Sequence, residues 1–60
     1  MIIYHKGKGR KHTAWIEDET GKIIWSAGGV SEADAIFNLL YALTQRDDPT
    51  LEPHVEIVEK

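Results

Sequence analysis

The chain has no cysteine. That excludes disulfides and thiolate metal sites, two of the staples on which small domains rely. It also fits a reducing compartment, so a cytoplasmic protein is expected. Proline occurs only at positions 49 and 53, so the first 48 residues lack the residue that interrupts helices and ladders. Long apolar runs are missing too. None approaches the roughly 20 residues of a membrane span. Met1-Ile-Ile-Tyr-His-Lys6 is too short for a secretory leader and is followed, not preceded, by positive charge. Membrane association is therefore not expected.

Acid is missing from the first twelve residues, which hold Lys6, Lys8, Arg10 and Lys11. Residues 13–60 hold the other three bases and all ten acids, and the whole chain carries −3. An acidic body with one basic tip argues against non-specific nucleic-acid binding as the main task, while leaving a local phosphate contact open. Sixty residues make one domain at most. Such a chain buries about 60% of its unfolded surface, and its marginal core favours association with a second molecule.

What is present centres on His12-Thr-Ala-Trp-Ile-Glu-Asp-Glu-Thr-Gly-Lys-Ile-Ile-Trp-Ser26. Asp18 to Lys22 reads as a three-residue hairpin loop, with Gly21 supplying the left-handed residue. With Asp18 facing Lys22, the register sets Trp15 opposite Trp25, Ile16 opposite Ile24 and Glu17 opposite Ile23. Before it, Ile2 to Lys6 reads as a strand and Gly7-Lys-Gly9 as a tight loop. Pairing Lys6 with Arg10 brings Tyr4 opposite His12. The second strand then runs from Arg10 to Glu17 and the third from Lys22 to Ala27.

Ser31 is a helix N-cap, Asp34 completes a weak capping box, and Glu32 and Asp34 complement the helix dipole. The helix is expected over Glu32 to Gln45. Its apolar stripe is Ala33, Ile36, Phe37, Leu40 and Leu43, widened by Leu39, Tyr41 and Ala42. Arg46 suits its end, Asp47-Asp48-Pro49 stops it, and Thr50 to Pro53 is a loop. His54 to Glu59 alternates and reads as a last strand. The class is α+β in the order β-β-β-α-β: a three-stranded antiparallel meander, one helix, and a fourth strand parallel to the first.

A sheet with one helix has one covered face, yet apolar residues lie on both. The register above puts Ile2, Tyr4, Ala14, Ile16 and Ile24 on one side, and Ile3, Trp15, Ile23 and Trp25 on the other. The helix is expected on the Ala14, Ile16, Ile24 side. Ile3, Trp15, Ile23 and Trp25 are then the candidate interface, with a homodimer expected. The alternative is a bulge that rotates one strand and changes the register.

Other chemistry is thin. The tryptophans can stack bases or anchor a partner, or simply stabilise the hairpin by about 0.2–1 kcal/mol. Lys6-Gly-Lys-Gly-Arg-Lys11 joins two strands, whereas a phosphate-cradling Walker loop opens a helix; nucleotide binding is not expected there. Lys6, Lys8, Arg10 and Lys11 remain candidate phosphate contacts. His5, His12 and His54 show no ligand spacing, and the register sends His5 and His12 to opposite faces, so no metal or cofactor is expected. Glu17, Asp18, Glu19, Glu32 and Asp34 do not converge as two-metal hydrolysis requires, and no activated nucleophile is recognisable.

The strand order, with Trp25-Ser-Ala-Gly-Gly-Val-Ser-Glu-Ala-Asp-Ala-Ile-Phe-Asn-Leu-Leu40, resembles the N-terminal domain of HicB-like antitoxins, a reduced ribonuclease H-like fold. The likeness spans roughly residues 12–58 and rests on a strand-to-capped-helix junction. Ribonuclease H proper needs a carboxylate on the first strand, and Ile2 to Lys6 offers none. The resemblance therefore implies a non-catalytic relative that dimerises and occludes a small toxin ribonuclease. Such antitoxins usually also carry a DNA-binding segment with no counterpart in these residues, which puts transcriptional autoregulation in doubt. The expectation is a non-enzymatic interaction module, antitoxin- or inhibitor-like. The alternative is a nucleic-acid-binding module using the basic tip and a tryptophan face.

Overall fold

A computed structural model describes residues 1–45 and 54–60. In chain order these form β1 (Ile2–Lys8), β2 (Lys11–Glu17), β3 (Ile23–Gly29), α1 (Glu32–Gln45) and β4 (Glu56–Glu59). One four-stranded sheet has the order β3-β2-β1-β4. β1, β2 and β3 form an antiparallel meander, and β4 lies parallel to β1. This is the α+β fold expected. The fourth strand begins at Glu56, two residues later than its alternation suggested. The expected helix stop at Arg46 to Pro49 and the loop at Thr50 to Pro53 lie outside the described residues.

Local chemistry explains the turns. Asp18 N donates to Lys22 O and Gly21 N to Asp18 O, with Gly21 at φ 86°. The Asp18 carboxylate collects Thr20 N, Thr20 Oγ1 and Lys22 N at 2.7–3.0 Å. These bonds hold its pKa below the ordinary value, the Thr20 side chain contributing most. At the helix start Ser31 Oγ accepts from Asp34 N at 3.1 Å, while Asp34 Oδ2 accepts from Val30 N at 3.0 Å. The capping box is present, displaced by one residue on its return arm.

The register departs from expectation in two places. The first hairpin closes on Gly9 and Arg10, with Lys8 opposite Lys11 and Gly9 at φ 61°. A two-residue turn with glycine leading matches the strand twist better than the wider Gly7–Gly9 loop. Tyr4 therefore faces Trp15, not His12, and Arg10 is in the turn, not in β2. The second departure is a bulge. Glu17 faces Ile23 as expected, but Ile16 faces Trp25, and Ile24 is the extra residue. Trp15 consequently faces Ser26, and the tryptophan pair expected across the hairpin does not form.

Because side chains alternate, an odd shift moves every residue of a strand to the other face. One face now carries Ile3, His5, His12, Ala14, Ile16, Trp25 and Ala27. The helix packs there: Ile3, Ala14, Ala35, Leu39 and Leu43 form the buried cluster, flanked by Ile16, Trp25, Ala27, Ile36 and Leu40. Ala14 and Ile16 thus hold the helix as expected, but the third contributor is Trp25 rather than Ile24. Burying a side chain such as Ile3, Leu39 or Leu43, all essentially inaccessible, contributes about 1.5–3 kcal/mol.

The helix-facing side of β3 tapers through Trp25, Ala27 and Gly29. At the narrow end a Cβ on Gly29 would lie 2.6 Å from Ala35 N and 2.8 Å from Asp34 C. Only glycine lets the first helical turn sit so close. Asn38 Nδ2 donates to Gly28 O at 2.8 Å and fixes the helix rotation. That rotation buries Ala35, Leu39 and Leu43 and turns Phe37 outward, against the expected stripe. Phe37 and Tyr41 stack on the outer surface, 67% and 58% exposed, with centroids 6.4 Å apart.

Candidate functional site

The face of the sheet opposite α1 is one candidate surface. No described element covers it. β1 contributes Ile2, Tyr4, Lys6 and Lys8, β2 contributes Lys11, Thr13, Trp15 and Glu17, and β3 contributes Ile23. Val58 and Lys60 extend it on the β4 side, opposite Tyr4 and beyond. Tyr4 and Trp15 stack at its centre, 6.1 Å between centroids. Trp15 is nonetheless only 9% exposed, and its Nε1 donates to Glu17 Oε2 at 2.6 Å. Lys60 Nζ sits 4.7 Å over the Tyr4 ring and 3.9 Å from Glu17 Oε2. The central ridge is therefore locked by packing, an indole–carboxylate bond and a cation–π contact.

Around that ridge the face is apolar and polarised. Ile2, Ile23 and Ile24 are 45%, 53% and 54% exposed. A shallow depression of about 450 Å³ at one end is lined by Lys6, Lys8, Lys11, Thr13, Trp15 and Ile23. A second of about 450 Å³, around the other end of the sheet, is lined by Ile2, Tyr4, Glu17, Asp18, Glu19 and Ile24 together with Met1 and Ile16, which also pack against the helix-side core. One end is basic, the other acidic. The sequence suggested the charge asymmetry along the chain; the antiparallel register converts it into a dipole across one face.

The four residues expected to form an interface are divided between the faces. Trp15 and Ile23 lie on the open one. Ile3 is fully buried beneath the helix, and Trp25 is half-buried on that same side, packed against the core. Both were placed with Trp15 by a register without the two-residue turn and the bulge. Of the basic tip, Lys6, Lys8 and Lys11 gather at the basic depression, while Arg10 occupies the turn.

A second cluster lies on the helix side, and the expected register concealed it. His5 and His12 share a face and stack, centroids 5.1 Å apart with planes 8° from parallel. His5 is 7% exposed. Its Nε2 is 2.8 Å from His12 Nδ1, and His12 Nε2 is 2.8 Å from Gly9 O. His5 Nδ1 contacts Glu59 Oε2 directly and lies 3.3 Å from Glu32 Oε1. Each residue comes from a different element: β1, β2, β4 and the first turn of α1. Gly7 makes room, because a Cβ there would stand 2.1 Å from His12 Nδ1.

The carboxylates interact. A hydrogen bond between Glu32 and Glu59 raises the pKa of Glu32, helped by desolvation, and lowers that of Glu59, helped by its bond with His5. Glu32 was expected only to complement the helix dipole; it also faces this cluster. Among the described residues, His5, Glu32 and Glu59 bring one nitrogen and two oxygens within 4.8 Å of one another, a set able to hold a metal ion. The signal in the sequence was the spacing of His5 and His12 about a glycine turn, legible only once that turn is known to have two residues.

The chain matches no family model, no curated protein and no solved structure. No described helix is long and apolar enough to cross a membrane.

Proposed function

We propose that this chain is a small non-catalytic protein-interaction module that associates through its open sheet face, first with a second copy of itself. The observation that carries this is a polarised apolar surface: exposed Ile23 lines a lysine-rich depression, and exposed Ile2 and Ile24 line a carboxylate-rich one. A two-fold axis lying in the plane of the face, perpendicular to the line joining its two ends, sets the basic end of each copy on the acidic end of the other, the self-complementarity an isologous dimer requires. Three strands of seven residues and one of four give a face of about 400 Å² in projection, against roughly 800 Å² per partner in a standard interface. The dimer is accordingly weak and concentration-dependent. The resemblance to HicB-like antitoxin domains agrees with such a role, in which a dimer occludes a small partner protein; the cysteine-free sequence is compatible with a cytoplasmic setting.

Sedimentation equilibrium over a wide concentration range tests the reading. The expected result is a monomer–dimer equilibrium that Ile23→Glu shifts to monomer while circular dichroism is unchanged. A monomer at every concentration, or a dimer indifferent to Ile23→Glu, contradicts it.

A second reading has its own support. Lys6, Lys8 and Lys11 at one end of the face suit a phosphate backbone. Trp15 is too enclosed to serve as a base-stacking platform, so this binding would be electrostatic. Affinity for single-stranded RNA that falls steeply with salt, and is lost on replacing Lys8, Arg10 and Lys11 with alanine, would favour it.

A further inference from the structure

We propose that His5, Glu32 and Glu59 form a binding site for one divalent transition-metal ion of the Zn²⁺ class, with His12 as the residue that orients His5. Gly9 O can only accept, so His12 Nε2 carries hydrogen in that bond. His12 Nδ1 in the neutral ring is then an acceptor, and His5 Nε2 must donate to it across 2.8 Å. His5 Nδ1 is then the nitrogen turned toward the oxygens of Glu59 and Glu32, and a metal ligand presents its lone pair there.

Lone pairs of one imidazole nitrogen and two carboxylates, meeting at a point, are the donor set of Zn²⁺ and its neighbours.

Geometry and surroundings support the assignment. Bonds of about 2.1 Å to a tetrahedral ion separate the ligand atoms by about 3.4 Å. His5 Nδ1 and Glu32 Oε1 already stand 3.3 Å apart. Glu59 is too close to His5 and must draw back; its side chain is 62% exposed and has room to do so. His5, by contrast, is held fast: buried, stacked on His12, and bonded through Nε2 so that Nδ1 is the ligating atom. Metal-ligating histidines ordinarily give their other ring N–H to a carboxylate, carbonyl or water that fixes ring and tautomer; here His12 Nδ1 stands in that place. Glu32 and Glu59 leave the remaining coordination positions open to water.

The site joins three elements. β4 is four residues long and, among the described residues, pairs only with β1. An ion bridging Glu59 to His5 and Glu32 fastens that strand to β1 and to the start of α1. In a chain without disulfides this is the staple otherwise missing. The site lies on the helix side of the sheet, so the proposal stands apart from association through the open face.

The test is a Zn²⁺ titration of the tag-free protein, followed by calorimetry and by ¹⁵N shifts of the histidine rings. One ion per chain is expected, with the His5 Nδ1 resonance moving to the metal-bound range and the His54 ring unaffected. A hundredfold excess over Kd should raise Tm by about 10 °C or more. Glu32→Gln and Glu59→Gln alter exposed side chains and keep the fold; each should weaken binding at least tenfold. His54→Gln should leave it unchanged. Absence of saturable binding, meaning that the cluster holds protons only, overturns the proposal. So does stoichiometric binding that survives both glutamine variants or perturbs His54.

Discussion

Replacing Gly29 with alanine tests how the helix is seated. A Cβ there meets the backbone of Ala35 and Asp34 at 2.6 and 2.8 Å, and no side-chain rotation relieves contacts with backbone. The first turn of α1 must therefore retreat, carrying Ala35 and Leu39 from their contacts with Ala14 and Ile3. Overpacking of this kind costs about 1–3 kcal/mol. A staple-free domain of this size rarely has more than about 3–5 kcal/mol in hand, so the variant loses about a fifth of its stability or more. Gly28, its neighbour, is the control. A Cβ there comes no nearer than 3.5 Å to His12 O, an ordinary contact on the open face. Gly28→Ala should change stability by no more than about 0.5 kcal/mol. Urea denaturation followed by tryptophan fluorescence, at one fixed protein concentration, separates the two. With a slope near 1 kcal/mol/M, the Gly29→Ala midpoint should fall by about 1–3 M while that of Gly28→Ala stays close to wild type. Equal midpoints would refute the seating of the helix on Gly29.

Other outcomes follow from the same packing. Leu39→Ala, in the buried cluster, should cost about 2–5 kcal/mol, whereas Phe37→Ala, on the outer helix surface, should stay within about 0.5 kcal/mol; equal losses in thermal melts would mean the helix is rotated otherwise. Asp18 has its pKa lowered by the bonds that close its turn. The stability this contributes is present above the unfolded-state pKa and is lost as pH falls through the lower folded value, so the advantage of wild type over Asp18→Ala in denaturant midpoint should hold at neutral pH and vanish in acid. A pH-independent difference would contradict that assignment. Gly7→Ala should displace the His12 ring, visible as the loss of nuclear Overhauser contacts between the His5 and His12 rings; an unchanged pair would show that the glycine is not what admits the ring.

Much of the architecture was legible in the residues. Ser31 and the Glu32–Gln45 periodicity mark the helix because capping and amphipathic spacing act locally. Gly21 marks the second turn because only a left-handed residue fits there. The pairing of strands was not legible in the same way. Gly7 and Gly9 offer two places to turn, and the choice rests on strand twist and on which glycine must adopt positive φ. Ile23-Ile24 gives no hint that Ile24 is the bulged residue. Each ambiguity is one odd step of register, and each exchanges the two faces. That is why Trp25 and Ile3 were expected on the outer face, and why His5 and His12 were expected to point apart. The cluster with Glu32 and Glu59 was hidden for the same reason: the parallel β1–β4 pairing that brings Glu59 to His5 was expected, but not the register that puts His5 beside His12 on the helix face.

The central claim is that the open sheet face meets a second copy of the chain. Isotope-filtered nuclear Overhauser spectroscopy on an equal mixture of labelled and unlabelled protein tests it most directly. Intermolecular contacts are predicted between the methyls of Ile2, Ile23 and Ile24 and the side chains of Tyr4 and Lys6. Intermolecular contacts confined to Phe37 and Tyr41, or none at concentrations where a dimer is present by mass, would contradict it.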